Sequence, residues 1–192
     1  GTEGMLRKRS LMVALDGVGG VLRWQAPLDQ ISHTSPLYSD HDGGLIVVIG
    51  DQGGVYGLDA RSGEERFRFA IRGWVPGNPV MLDMVRQRII FGVRDGSLRT
   101  LHLGTGKTSV FFGRPGIPMC DALIACGEER LIACSGNRIR NIDLGTGELL
   151  WEYVASEERA CPPAVAERSV WILSAGGRLE EIDLAKGNRL AY

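Results

Sequence analysis

Arg140-Asn141-Ile142-Asp143-Leu144-Gly145-Thr146-Gly147-Glu148-Leu149-Leu150-Trp151 is the stretch that decides the fold. An apolar position ends in Asp143, Gly147 follows four residues later, and an aromatic follows four after that. Asp accepts bonds from nearby backbone N–H groups, and Gly takes the positive φ that a tight turn needs, so this reads as a hairpin. Four more segments share the frame, with lapses. They run from Asp16 to Gly20 and Trp24, from Asp59 to Gly63 and Phe67, from His102 to Gly106 and Val110, and from Asp183 to Gly187 and Ala191. The glycines step by 43, 43, 41 and 40 residues, a spacing that marks an internal repeat.

Two further marks keep the same register. Ser35-Pro36-Leu37, Asn78-Pro79-Val80, Asp121-Ala122-Leu123 and Pro162-Pro163-Ala164 follow the first four glycines. Apolar runs at Leu45–Ile49, Ile89–Phe91, Leu131–Cys134 and Val170–Leu173 precede the hairpins. Each unit therefore supplies four short strands bounded by turn residues, and no useful helical periodicity interrupts them. The expected fold is all-β: a β-propeller of four-stranded antiparallel blades. A single propeller domain over 1–192 divides into a partial blade at 1–25 and blades at about 34–69, 77–112, 119–153 and 161–192. Four blades plus about half a blade leave ring closure open to three readings. The chain is a piece of a larger propeller, which is favoured, or a second copy completes the ring as a homodimer, or the start pairs unconventionally. The aromatics Trp24, Phe67 and Trp151 are expected to pack on neighbouring blades, with Val110 and Ala191 as weaker versions.

At these residues the chain resembles the PQQ-like propeller repeat, whose pattern runs roughly Ala-Leu-Asp-x-x-Thr-Gly-x-x-x-Trp. Asp143, Thr146, Gly147 and Trp151 carry it best, followed by Leu58, Asp59, Ser62 and Gly63. The resemblance covers essentially the whole chain and speaks for fold. It implies a choice of roles on one scaffold: quinoprotein dehydrogenases, BamB-type lipoproteins of outer-membrane assembly, sensors, and accessory domains of larger enzymes. It leans towards the periplasm, with the cytoplasm as the alternative.

Composition excludes other classes. The 192 residues are 44% apolar and 23% charged, enough for a core and against disorder. A net charge of −1 gives no bulk attraction for nucleic acid or anionic lipid. Leu45–Ile49 is the longest clean aliphatic run, far short of a membrane span. The polar opening Gly1-Thr2-Glu3-Gly4 is no signal peptide, although a trimmed product would look the same. Cys120, Cys126, Cys134 and Cys161 form no Cys-x-x-Cys pair, and His33, His41 and His102 lie far from them, so no metal site is expected.

The chemical motifs reduce to structure. Gly104-Thr105-Gly106-Lys107-Thr108 imitates the end of a phosphate loop, yet Leu101 stands where a glycine is needed and no helix follows. A fragment of a PQQ- and calcium-dependent dehydrogenase is the enzymatic alternative. Asp16, Asp59, Asp143 and Asp183 belong to separate turns, no adjacent cysteines occur, and no nucleophile motif is present. A non-catalytic interaction scaffold or accessory domain without a cofactor is therefore expected. In an up-and-down blade the inter-blade loops share one face, here 25–34, 70–77, 113–118 and 154–160. They carry His33, Arg72, Trp74, Arg114, Glu157, Glu158 and Arg159, and Trp and Arg are typical interface anchors. Trp74 packing beneath its own Pro-Gly loop is the bland alternative. The basic run Met5-Leu6-Arg7-Lys8-Arg9 precedes the first signature.

Overall fold

A computed structural model of the chain describes residues 10–113 and 118–190. In it, Asp143 closes its own turn: its Oδ1 accepts the Thr146 N–H at 2.7 Å and the Thr146 hydroxyl at 3.1 Å. Gly147, at φ 79°, donates its N–H to the Asp143 carbonyl at 2.9 Å. Asp16, Asp59 and Asp183 accept backbone N–H groups two and three residues ahead in the same way. At the third of the five sites in chain order His102 substitutes, with Nδ1 accepting from Gly104 N at 3.1 Å.

These hairpins join the third and fourth strands of successive antiparallel meanders. β1 (Ser10–Leu15) pairs with β2 (Leu22–Leu28). Three four-stranded sheets follow: β3 (Leu37–Ser39) to β6 (Glu65–Ala70) through β4 (Leu45–Ile49) and β5 (Gly54–Asp59); β7 (Val80–Asp83) to β10 (Thr108–Phe112) through β8 (Arg88–Gly92) and β9 (Leu98–His102); and β11 (Ala122–Cys126) to β14 (Leu149–Val154) through β12 (Arg130–Ser135) and β13 (Arg138–Asp143). β15 (Ala164–Ala166), β16 (Ser169–Leu173) and β17 (Leu179–Asp183) form the last sheet. The chain is an all-β propeller array. In the last unit the expected fourth strand is reduced, among the described residues, to the Ile182–Arg189 bridge and the bond from Leu190 N to Glu181 O. The signature's Ala191 lies outside the described residues, as do Tyr192 and the opening Gly1–Gly4.

Alternation along each strand sends one set of side chains to the preceding sheet and the other to the following one. Val48, Tyr56 and Leu58 thus meet Trp24, Ala26 and Leu28, while Val47, Ile49 and Val55 meet Ile89, Phe91 and Leu101. Two further clusters repeat this between later sheets. Each fully buried Ile or Leu in such a layer contributes about 1.5–3 kcal/mol. The two outer faces differ. Leu58, Leu101, Ile142 and Ile182 occupy one slot and are 0–2% exposed, whereas Leu15, in the same slot on β1, is 58% exposed. Val55, Leu98 and Ile139 fill the opposite slot at 0–2%, and Leu179 on β17 is 58% exposed.

Rings lock the sheets together. Trp24 lies on Gly63 and donates its indole N–H to the Ala60 carbonyl at 3.0 Å. Trp151 lies on Gly187 and donates to the Leu184 carbonyl at 2.9 Å. At the two middle junctions the expected rings are replaced. Phe67 folds over Gly57 of its own sheet, which leaves a hole there, and stacks at 5.2 Å on Phe69, which reaches Gly106 instead. In the next sheet the β-bulge moves from the start of the fourth strand to between Val110 and Phe112. That one-residue slip turns Val110 outward at 63% exposure and points Phe111 at Gly147. The Phe111 ring has no N–H to give, and Arg88, stacked 4.9 Å over it, donates to the Leu144 carbonyl in its place.

Candidate functional site

Antiparallel meanders place the loops between sheets and the turns between second and third strands at the same end. Three of the inter-sheet loops, 25–34, 70–77 and 154–160, are tied to the turn of the sheet they enter. Asp51 N donates to Ile31 O at 2.8 Å, Arg94 N to Gly73 O at 3.1 Å, and Ala175 N to Glu158 O at 2.8 Å. The loops are thus held before any partner arrives, which lowers the entropy lost on binding.

The expected contact residues divide into two groups. His33 is exposed, its Nδ1 2.6 Å from Asp51 Oδ2. Arg72 is exposed. Glu157 is exposed and accepts the Gly176 N–H at 3.1 Å. Trp74, in contrast, is buried: it bridges to Val93 and meets Phe91 edge-on at 6.3 Å. Its indole supports the loop from beneath and is not displayed. The Arg159 side chain is also enclosed, paired with Asp121 and donating to the Gly136 carbonyl at 2.9 Å and the Cys161 carbonyl at 3.1 Å. It clasps two sheets. Arg114 and the basic run 5–9 lie outside the described residues.

The structure adds two residues to Arg72. Arg94, in the turn after β8, and Arg99, on β9, line with Arg72, Gly73, Val93 and Asp95 a cleft of about 410 Å³ at the seam between the second and third sheets. Asp95 accepts from the Ser97 hydroxyl at 2.6 Å, from Ser97 N at 2.9 Å and from the Arg99 guanidinium at 2.9 Å. The Ser97 hydroxyl first, and then Ser97 N and Arg99, hold its carboxyl below the usual range. The sequence carried a signal for Arg94, since it sits in a second-to-third-strand turn, on the face already chosen for Arg72.

Among the described residues no three His, Cys, Asp or Glu side chains converge as metal ligands. The signature aspartates are engaged by their own separate turns, so the residues present do not fit a calcium-held quinone. Burial pushes the Cys134 thiol up to about 12 and the Cys120 thiol up to about 11, which leaves both inert at neutral pH. Among the described residues no helix is long and apolar enough to cross a membrane.

The family model described as outer membrane protein assembly factor BamB matches residues 7–191. The chain belongs to this BamB-type, PQQ-like propeller family. Its fold is shared with BamB from Moraxella catarrhalis, at TM-score 0.65 and 20% identity over 94% of this chain and 57% of that one. The dihydro-heme d1 dehydrogenase NirN, solved in complex with DHE, aligns at TM-score 0.75 and 15% identity over 94% of this chain and 41% of its own. Sqt1 of Saccharomyces cerevisiae aligns at TM-score 0.73 and 9% identity over 96% and 55%. The chain thus spans roughly half the length of these structures. No curated protein matches it. The BamB-type fold is consistent with an interaction role.

Proposed function

We propose that this BamB-type propeller is a non-catalytic scaffold that holds a partner protein on its loop face. The observation that carries the reading is the tied-down loop set, with Arg72, His33 and Glu157 outward on loops bonded to the turns beneath them. Such a surface binds by rigid display and needs no chemistry of its own. The family relation supports an extracytoplasmic setting and a place within a larger assembly.

The outer faces of the array support a second contact. Leu15 and Leu179 occupy slots that are closed at every internal junction, so a blade of this same repeat fits them, and a second copy of the chain is one source of it. Blades from the rest of a larger chain are the competing occupant.

Photo-crosslinking tests the loop face. A photoreactive residue at position 33, 72 or 157 is expected to give discrete protein adducts in the native cell. The same residue at position 107 or 186, on the opposite hairpin face, is expected to give none. Adducts from the hairpin face alone, or equally from both, overturn the reading.

A further inference from the structure

We infer that the Arg72–Arg94–Arg99 cleft takes an acidic peptide segment, seating its carboxylates on guanidinium groups. This rests on the scaffold reading above and names the chemistry of the partner at that face.

The charges in the cleft are unbalanced. Asp95 is spent on Arg99 and Ser97. Among the described residues, the Arg72 and Arg94 guanidinium groups have no hydrogen bond or ion pair. The Arg99 Nε–H is buried without an acceptor. Three arginines against one carboxylate therefore leave a positive excess on a chain whose net charge is −1. Guanidinium forks match carboxylates two bonds at a time, and such bonds are about twice as strong as neutral ones.

A second basic cleft on this sheet supplies the contrast. Arg86, Arg88 and Lys107 line about 360 Å³ there, but Arg88 and Arg86 are bound to Asp83 and to the Leu144 and Glu128 carbonyls. Those arginines are structural. In the loop-face cleft the cations have been left over, beside loops held in place by the Gly73–Arg94 backbone bond.

Size and lining select among anions. A nucleic-acid strand needs a basic stripe along its backbone with stacking rings, and here the rings of Trp74 and Phe91 are buried. A cleft of about 410 Å³ with Val93 and Gly73 in its wall suits a short extended peptide, its carboxylates on Arg72 and Arg94 and its stem on Val93.

Fluorescence anisotropy with fluorescein-labelled hexaglutamate, at low and at physiological salt, provides the test. The wild-type chain is expected to bind it, and Arg72→Glu with Arg94→Glu to weaken binding about tenfold or more. Arg61→Glu, an exposed arginine on the hairpin face, is expected to leave binding unchanged, and unlabelled hexaglutamate to compete better than a single-stranded oligonucleotide of equal charge. Absence of binding, equal loss in Arg61→Glu, or a better-competing oligonucleotide overturns the inference. If hexaglutamate fails while crosslinks from positions 33, 72 and 157 persist, this inference alone falls. If the crosslinks are missing too, the scaffold reading falls with it.

Discussion

Phe111 and Gly147 belong to neighbouring sheets and touch so closely that a Cβ at position 147 would lie 2.2 Å from the Phe111 carbonyl oxygen. The same glycine turns its hairpin at φ 79°, so one residue serves a local conformation and a junction at once. Gly20 has the first duty without the second: φ is 64°, and no atom lies within 4 Å of its missing side chain.

Gly147→Ala is therefore expected to destabilise the chain by about 2–5 kcal/mol, adding a backbone clash to a left-handed alanine. Gly20→Ala is expected to cost about 1–2 kcal/mol, the conformational part only. Urea melts of the two variants measure the gap, and equal losses would remove the junction from the account.

Buried and displayed loop residues separate in the same way. Trp74→Ala empties a buried site beside Phe91 and is expected to cost about 3–5 kcal/mol. Arg159→Ala unclasps Asp121 and Gly136 for about 1–3 kcal/mol. Arg72→Ala is expected to stay within about 0.5 kcal/mol of wild type, and thermal melts rank the three.

Acid stability follows the turn carboxylates. The Gly19 N–H, the Arg23 guanidinium and the Val18 N–H hold the Asp16 carboxyl at about 2. Asp59 is lowered by Arg66, then by the Ser62 and Arg61 N–H groups, and Asp143 by the Thr146 N–H and hydroxyl. Folded values below the unfolded value of about 3.9 mean that the contribution is whole above about pH 4 and drains away as pH falls towards 2. The melting temperature is expected to be insensitive to these groups from pH 7 to about 5 and to drop below about 4. A fall that begins near pH 6 would contradict this.

The outer faces predict directional self-association. Leu15 presents one side of the repeating junction and Leu179 the other, both 58% exposed, so two copies are expected to join head to tail. Light scattering is expected to give twice the chain mass for wild type and a single mass for Leu15→Asp and for Leu179→Asp. Mixing the two variants restores one intact junction per pair, and the double mass returns. A symmetric contact between like faces would not be rescued by mixing.

The repeat was legible because turn chemistry is local: Asp143, Thr146 and Gly147 solve their hydrogen bonds within five residues. The rings that cross between sheets were less so. Phe67 matches the frame, yet the hole at Gly57 draws it inward and hands its place to Phe69, and a displaced bulge substitutes Phe111 for Val110. Both outcomes depend on what stands across the strand, which spacing along one strand does not encode. The candidate face divided likewise. His33, Arg72 and Glu157 are exposed, whereas Trp74 and Arg159, equally eligible by residue type, had partners more than a dozen residues away.

Every described junction has a ring from the earlier sheet resting on a glycine of the later one, never the reverse. The array therefore works like a row of hooks and eyes, with Gly20 as an eye that no ring fills. A gene duplication that copied one whole unit would bring its own hook and its own eye. It would add one complete junction and leave each existing one as it was, whereas loss or gain of part of a unit would strand a fastening without its mate. Growth by whole units is the change in length that this arrangement absorbs.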